Sequence, residues 1–143
     1  MSLECCKEKN DKNYLKISWQ RLVENNRTCS RCESTEIELL KAVSTLRRVL
    51  KPFGIQVVLQ KKDIQFEEFE KDPLSSNRIF INGRPLEEWL KAKAGKSQCC
   101  DLCTPNECRT VELNGIIYEV PSSELIVQAG IEAVKEFLSR KCC

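Results

Sequence analysis

The sequence predicts an α/β fold: a mixed sheet of four to five strands with flanking helices. Three observations carry that expectation. The run YLKISWQRL at 14–22 alternates Leu15, Ile17 and Trp19 with Lys16, Ser18 and Gln20, the period of two of a half-buried strand. A helical repeat and then a β-branched run, IQVVLQ at 55–60, follow it. The chain therefore opens as strand, helix, strand, which implies a right-handed parallel crossover around a buried strand. Farther on, RTVELNGIIYEV at 109–120 holds an Asn-Gly pair between two strand-like runs. That is the strongest short hairpin signal, and it adds an antiparallel edge.

The elements follow in order. Residues 1–13 are polar and read as a flexible N-terminus. After the first strand, VENNRTCSRCES is a loop and TEIELLKAVSTLRRVLKPFG a helix. Its apolar positions Ile37, Leu40, Val43, Leu46 and Leu50 recur at three or four, Thr35 and Glu38 fit a capping box, and Pro52 and Gly54 close it. IQFEEFEKDP (64–73) reads as a short helix or a loop, and NRIFING (77–83) as a third strand ending at an Asn-Gly turn. RPLEEWLKAKAG (84–95) reads as a helix with Pro85 near its start and Gly95 past its end. PSSELIVQAGIEAVKEFLSR (121–140) is a last helix, with Ser122 or Ser123 as cap. The outcome is one domain over 14–140, with an inserted helix and cysteine-rich loop at 84–108 and a tail at 141–143.

Composition narrows the function. The 143 residues carry a net charge of +2 with acidic and basic residues interleaved, and 6% are aromatic. Neither the charge pattern nor the aromatic content suits a nucleic-acid partner. No apolar run reaches the ~20 residues of a membrane span, and the polar start reads as neither signal peptide nor anchor. A cytoplasmic protein is the expectation. The ten cysteines are the anomaly, set against no histidine at all. In a reducing compartment such cysteines point to thiol redox chemistry or metal binding. Without histidine, any metal site is thiolate-rich and a Cys-His catalytic pair is excluded.

A CxxC, TCSRC at 28–32, lies between the first strand and the first helix. With that element order it resembles the thioredoxin fold, and NRIFINGRPLEEWL resembles the third strand and following turn of glutaredoxins. TCSRC, SNRIFINGRPLEEWL, the CC..C....CR loop and the closing VPSSELI together resemble a small thioredoxin-like family of bacteria and archaea, a domain of unknown function, over roughly residues 14–138. The resemblance implies a thioredoxin-like three-layer sandwich. One departure stands out: the position of the cis-proline that faces the CxxC in thioredoxins is here Asn77, expected to be trans because a non-proline cis bond is costly, which leaves metal or metalloid capture open beside dithiol exchange.

Two chemistries compete for the cysteines. In the first, Cys29 is an exposed nucleophile and Cys32 resolves the mixed disulfide, with the helix N-terminus and Arg31 favouring thiolate. Arg31 and Asn77 are then the substrate-binding positions, and thioredoxin reductase or a thioredoxin-like protein the redox partner. In the second, Cys99, Cys100, Cys103 and Cys108 bind zinc or another thiophilic metal, alone or with Cys29 and Cys32, without turnover. A plainer alternative is a local disulfide such as Cys100 with Cys108. The terminal pairs Cys5-Cys6 and Cys142-Cys143 read as solvated tail residues.

Overall fold

Strand β1 (Tyr14–Leu22) forms the centre of the computed structural model, which describes residues 13–23, 30–97 and 107–141. Its alternation places Leu15, Ile17 and Trp19 in the core and leaves Lys16 exposed on the other face. On one side β1 pairs in parallel with β2 (Gln56–Ile64), from Tyr14 opposite Gln56 to Leu22 opposite Ile64. On the other it pairs antiparallel with β3 (Arg78–Ile81), Ile17 opposite Ile81. The two-residue β4 (Arg84–Pro85) completes a four-stranded mixed sheet of order β2-β1-β3-β4. Parallel pairing of β1 and β2 needs a crossover, and α1 (Ser30–Leu50) supplies it.

The sequence pattern misplaces α1 in two respects. The helix begins at Ser30, not at Thr35, so Thr35 lies inside it and caps nothing. Its buried face is Cys32, Thr35, Leu39, Val43, Leu46 and Leu50, whereas Ile37 and Leu40 are 56% and 48% exposed. The inward stripe keeps the spacing of three and four. It is set by the entry of the chain at Ser30, which turns Ile37 and Leu40 outward. Strand β2 also departs from expectation. It is parallel, but it lies at the edge of the sheet and buries only Val57 and Ile64. Arg47 of α1 donates to the Val57 carbonyl at 3.2 Å and covers part of that edge.

Helix α2 (Phe66–Lys71) is short and buries Phe69. A 3₁₀ turn, Pro73–Ser75, leads to β3. The β3–β4 hairpin turns on Asn82 and Gly83, both with positive φ (50° and 80°), as a type I′ turn requires. Helix α3 (Leu86–Leu90) then ends at Lys91 in the left-handed region, φ 56°, well before the expected end near Gly95. The residues beyond it extend into β5 (Lys93–Ser97), which pairs antiparallel with β6 (Cys108–Leu113). A Cβ on Gly95 would stand 2.8 Å from Thr110 Oγ1, so the close pairing of these two strands depends on glycine.

The hairpin at 109–120 forms, with Asn114 and Gly115 at its turn (φ 53° and 79°), between β6 and β7 (Ile116–Tyr118). It does not edge the first sheet as expected. It belongs to a separate three-stranded antiparallel sheet of order β5-β6-β7. The fold is therefore a mixed α/β domain with two sheets. Helix α4 (Ser123–Lys141) packs beside α1, with Gly130 so close that a Cβ there would meet Leu46 Cδ1 at 2.9 Å. Ser122 caps it, accepting the Leu125 N–H at 3.3 Å. Among the described residues no helix is long and apolar enough to cross a membrane.

Candidate functional site

The first turn of α1 holds one of the sequence-derived candidates, Cys32. Because the helix starts at Ser30, Cys32 falls in that turn, and it is a wholly buried thiol. Its sulfur lies 3.8 Å from Ser76 Oγ, which is wholly buried as well. Ser76 and Asn77 make the corner between the 3₁₀ turn and β3. Asn77 takes a left-handed φ of 57°, which asparagine tolerates better than most residues. Its Oδ1 accepts the indole N–H of Trp19 at 3.0 Å, in the core. The corner facing Cys32 is thereby fixed to the central strand. Asn77 stands where the sequence places it, just before the third strand, but its amide is committed to Trp19.

Arg31 turns away from Cys32 towards the second sheet. Although charged, it is 6% exposed. Its guanidinium donates to the carbonyls of Cys108 and Arg109 at 3.5 and 3.4 Å and to Ser97 Oγ at 3.1 Å, and it pairs with Glu119 at 3.2 Å. Arg109 makes the complementary link. Its Nε donates to the Leu74 carbonyl at 2.8 Å, next to the corner, and its other arm pairs with Glu87 at 2.9 Å. Two buried arginines thus hold β6 against both the start of α1 and the corner that faces Cys32.

Arg21, at the end of β1, has its guanidinium held further into the charged form by its hydrogen bond to Asp63, with smaller contributions from Asp63 and Glu36 charge and from the Cys32 sulfur. One turn along α1, the Thr35 hydroxyl is buried without a hydrogen-bond partner among the described residues. Among the described residues no three cysteine, aspartate or glutamate side chains are grouped so as to hold a metal ion.

The other sequence-derived candidates divide as follows. Cys108 is wholly buried at the start of β6 and is disulfide-bonded. Its carbonyl accepts from Arg31, which ties Cys108 to the start of α1. Cys29, Cys99, Cys100 and Cys103 lie outside the described residues, as do Cys5, Cys6, Cys142 and Cys143. Ser76 and the Arg109–Glu87 pair escape the sequence reading. The only local signal for Ser76 is its place in the turn-forming run SSN before a strand.

Comparison with known proteins places the chain in a family. It is 43% identical over 112 residues to an uncharacterized protein of Archaeoglobus fulgidus, covering 78% of this chain and 82% of that one. No solved structure matches it. Residues 15–130 match the model of the family described as "Domain of unknown function (DUF2703)". The chain belongs to that DUF2703 family.

Proposed function

We propose that the protein is a thioredoxin-like thiol–disulfide redox protein, with Cys29 as the attacking thiol and Cys32 as the resolving one. The observation that carries this reading is the place of Cys32: a buried thiol in the first turn of the helix that leaves the central strand, facing the corner before β3. The parallel β1–α1–β2 crossover with β3 antiparallel beside β1 fits the thioredoxin-like arrangement. A helix that starts at Ser30 brings the positive end of its dipole next to the residue after Cys29, and thiolate is favoured at such an end. In the reaction Cys29 thiolate attacks a partner's disulfide. Cys32 then attacks the Cys29 sulfur, the partner leaves as a thiol, and a Cys29–Cys32 disulfide remains. Thioredoxin reductase or a thioredoxin-like protein in the cytoplasm is the reductant such a centre draws on.

A second reading, a thiolate-rich metal site, has one observation in its favour: Arg31 sets the Cys108 segment beside that of Cys32. The disulfide at Cys108 removes that sulfur as a ligand while it persists. Native mass spectrometry with thiol counting separates the two. Metal-free protein whose Cys29–Cys32 disulfide is reduced by a thioredoxin system, with turnover lost in Cys29→Ser, is the expected result. Stoichiometric zinc that is lost in Cys103→Ser overturns it in favour of the metal site.

A further inference from the structure

Helices α1 and α4 cover one face of the first sheet. A Cβ on Gly130 of α4 would meet Leu46 of α1 and, at 3.4 Å, Leu15 of β1. The register then fixes what the other face presents, because side chains alternate along each strand. Gln20 of β1 stands between Lys62 of β2 and Arg78 of β3, and one row on, Ser18 stands between Gln60 and Phe80. The cations of this sheet divide by face. On the helix side Arg21 pairs with Asp63, Lys61 with Glu36 and Arg84 with Glu136. On the open side Lys62 and Arg78 pair with no carboxylate among the described residues. Arg78 is held instead over the Phe80 ring, 4.7 Å from its centroid, and its Nε is buried without a hydrogen-bond partner among the described residues. Ser18, Gln20, Gln60, Lys62 and Phe80 line a groove of about 570 Å³, the size of a small-ligand site. Leu22 and Ile64, next along the same face, are buried, so the open part ends just beyond the Lys62 row.

We propose that this groove binds a small organic phosphate carrying a planar ring, with the phosphate between Lys62 and Arg78 and the ring against Phe80. Lys62 and Arg78 lie two strand spacings apart, about 10 Å at Cα, so their long side chains can converge on one anion above Gln20. Two cations match a phosphate monoester, which carries a charge of about −1.5 to −2 near neutral pH. The guanidinium offers paired N–H donors to phosphate oxygens, and its place over Phe80 sets it before a ligand arrives. A single ring and two cations suit one such group rather than a polymer, whose binding grows from many phosphate contacts and successive stacked bases. A second copy of the same face would bring like charges together. The groove stands apart from Cys32, which α1 holds on the helix side, and it is independent of the redox reading.

The test is a titration of the isotopically labelled full-length chain with phenyl phosphate near neutral pH, followed residue by residue by NMR. The backbone amides of Ser18, Gln20, Gln60 and Lys62 are expected to shift together and to saturate. Lys62→Gln should weaken binding about threefold, the scale of an exposed ion pair, and Arg78→Gln about tenfold, the scale of a charge-assisted pair partly shielded from water. Phe80→Leu keeps an apolar side chain without the ring, and should weaken phenyl phosphate more than inorganic phosphate. Lys62 is exposed, so its variant decides the matter should Arg78→Gln fail to fold. The proposal is overturned if millimolar phenyl phosphate leaves these amides unmoved, or if binding is as tight in Lys62→Gln and Arg78→Gln as in the parent. It falls equally if inorganic phosphate binds as tightly as phenyl phosphate, since the ring then plays no part. A phosphotyrosine peptide that binds more tightly than phenyl phosphate would assign the groove to a protein partner and overturn the small-molecule ligand.

Discussion

Arg109 and Glu87 meet at 2.9 Å with side chains only 8% and 9% exposed, joining β6 to α3 across a water-poor interface. Removing one partner of such a pair leaves the other charge buried alone. Glu87→Ala is expected to lower unfolding free energy by about 3–5 kcal/mol. Glu87→Leu combined with Arg109→Met should recover most of that loss, because no charge remains to be desolvated. Urea denaturation of the disulfide-intact protein measures both. A single variant as stable as the parent would show that the pair does not hold β6 to α3.

Asn77 serves two functions at once, a left-handed backbone and an acceptor for Trp19. Glycine keeps the first and loses the second, so Asn77→Gly should cost about 1–3 kcal/mol, the penalty for orphaning a buried indole N–H. Alanine loses both, and Asn77→Ala should cost roughly 1–2 kcal/mol more. Denaturation midpoints, followed by tryptophan fluorescence, give the order parent, glycine, alanine.

Thr35 is buried with its hydroxyl oxygen unpartnered among the described residues, one turn from Cys32. Valine has nearly the same shape without the hydroxyl. Thr35→Val should therefore raise stability by about 1 kcal/mol, the cost of desolvating a hydroxyl that makes no bond. A fall in the urea midpoint would mean that the hydroxyl is satisfied in solution.

Glu38 links two helices from a distance. Its carboxylate accepts the Ser123 N–H at 2.9 Å, at the N-terminus of α4. That bond, and next the one from Lys41, holds its carboxyl below the usual range. A folded-state value below the unfolded one stabilises the protein at pH above the unfolded value of about 4.3, and the stabilisation is lost as pH falls through the folded value. Glu136, lowered first by its hydrogen bond to Arg84, acts in the same window. Glu38→Gln should therefore flatten part of the acid limb of a stability-against-pH curve, and leave it unchanged near neutrality in slope. Equal acid limbs in the two proteins would sink the assignment.

The same Glu38 shows why the sequence was legible only in part. Strand β1, the Asn-Gly turns and the Ser122 cap rest on local chemistry, and each appears where the pattern puts it. Thr35 and Glu38 form an equally good local pattern, a capping box, yet Glu38 serves a helix 85 positions away. The chain at Lys93–Ser97 continues a helical run in sequence and is a strand, because β6 offers it a ladder that local propensity cannot foresee. Around Cys32, the place of Asn77 just before β3 could be read from the sequence. The Ser76 contact and the inward turn of Arg31 could not, since both depend on segments that meet only in the folded chain.

The Arg31 contact also has a consequence in time. Its acceptor at Arg109 lies 78 positions downstream. At about 5–20 residues per second, a ribosome needs roughly 4–16 s to make that acceptor after Arg31 itself. Until then the start of α1 exists without the sheet that encloses it. In a chain with ten cysteines, that interval is when mispaired sulfurs are easiest to form, and the burial of Arg31 marks its end.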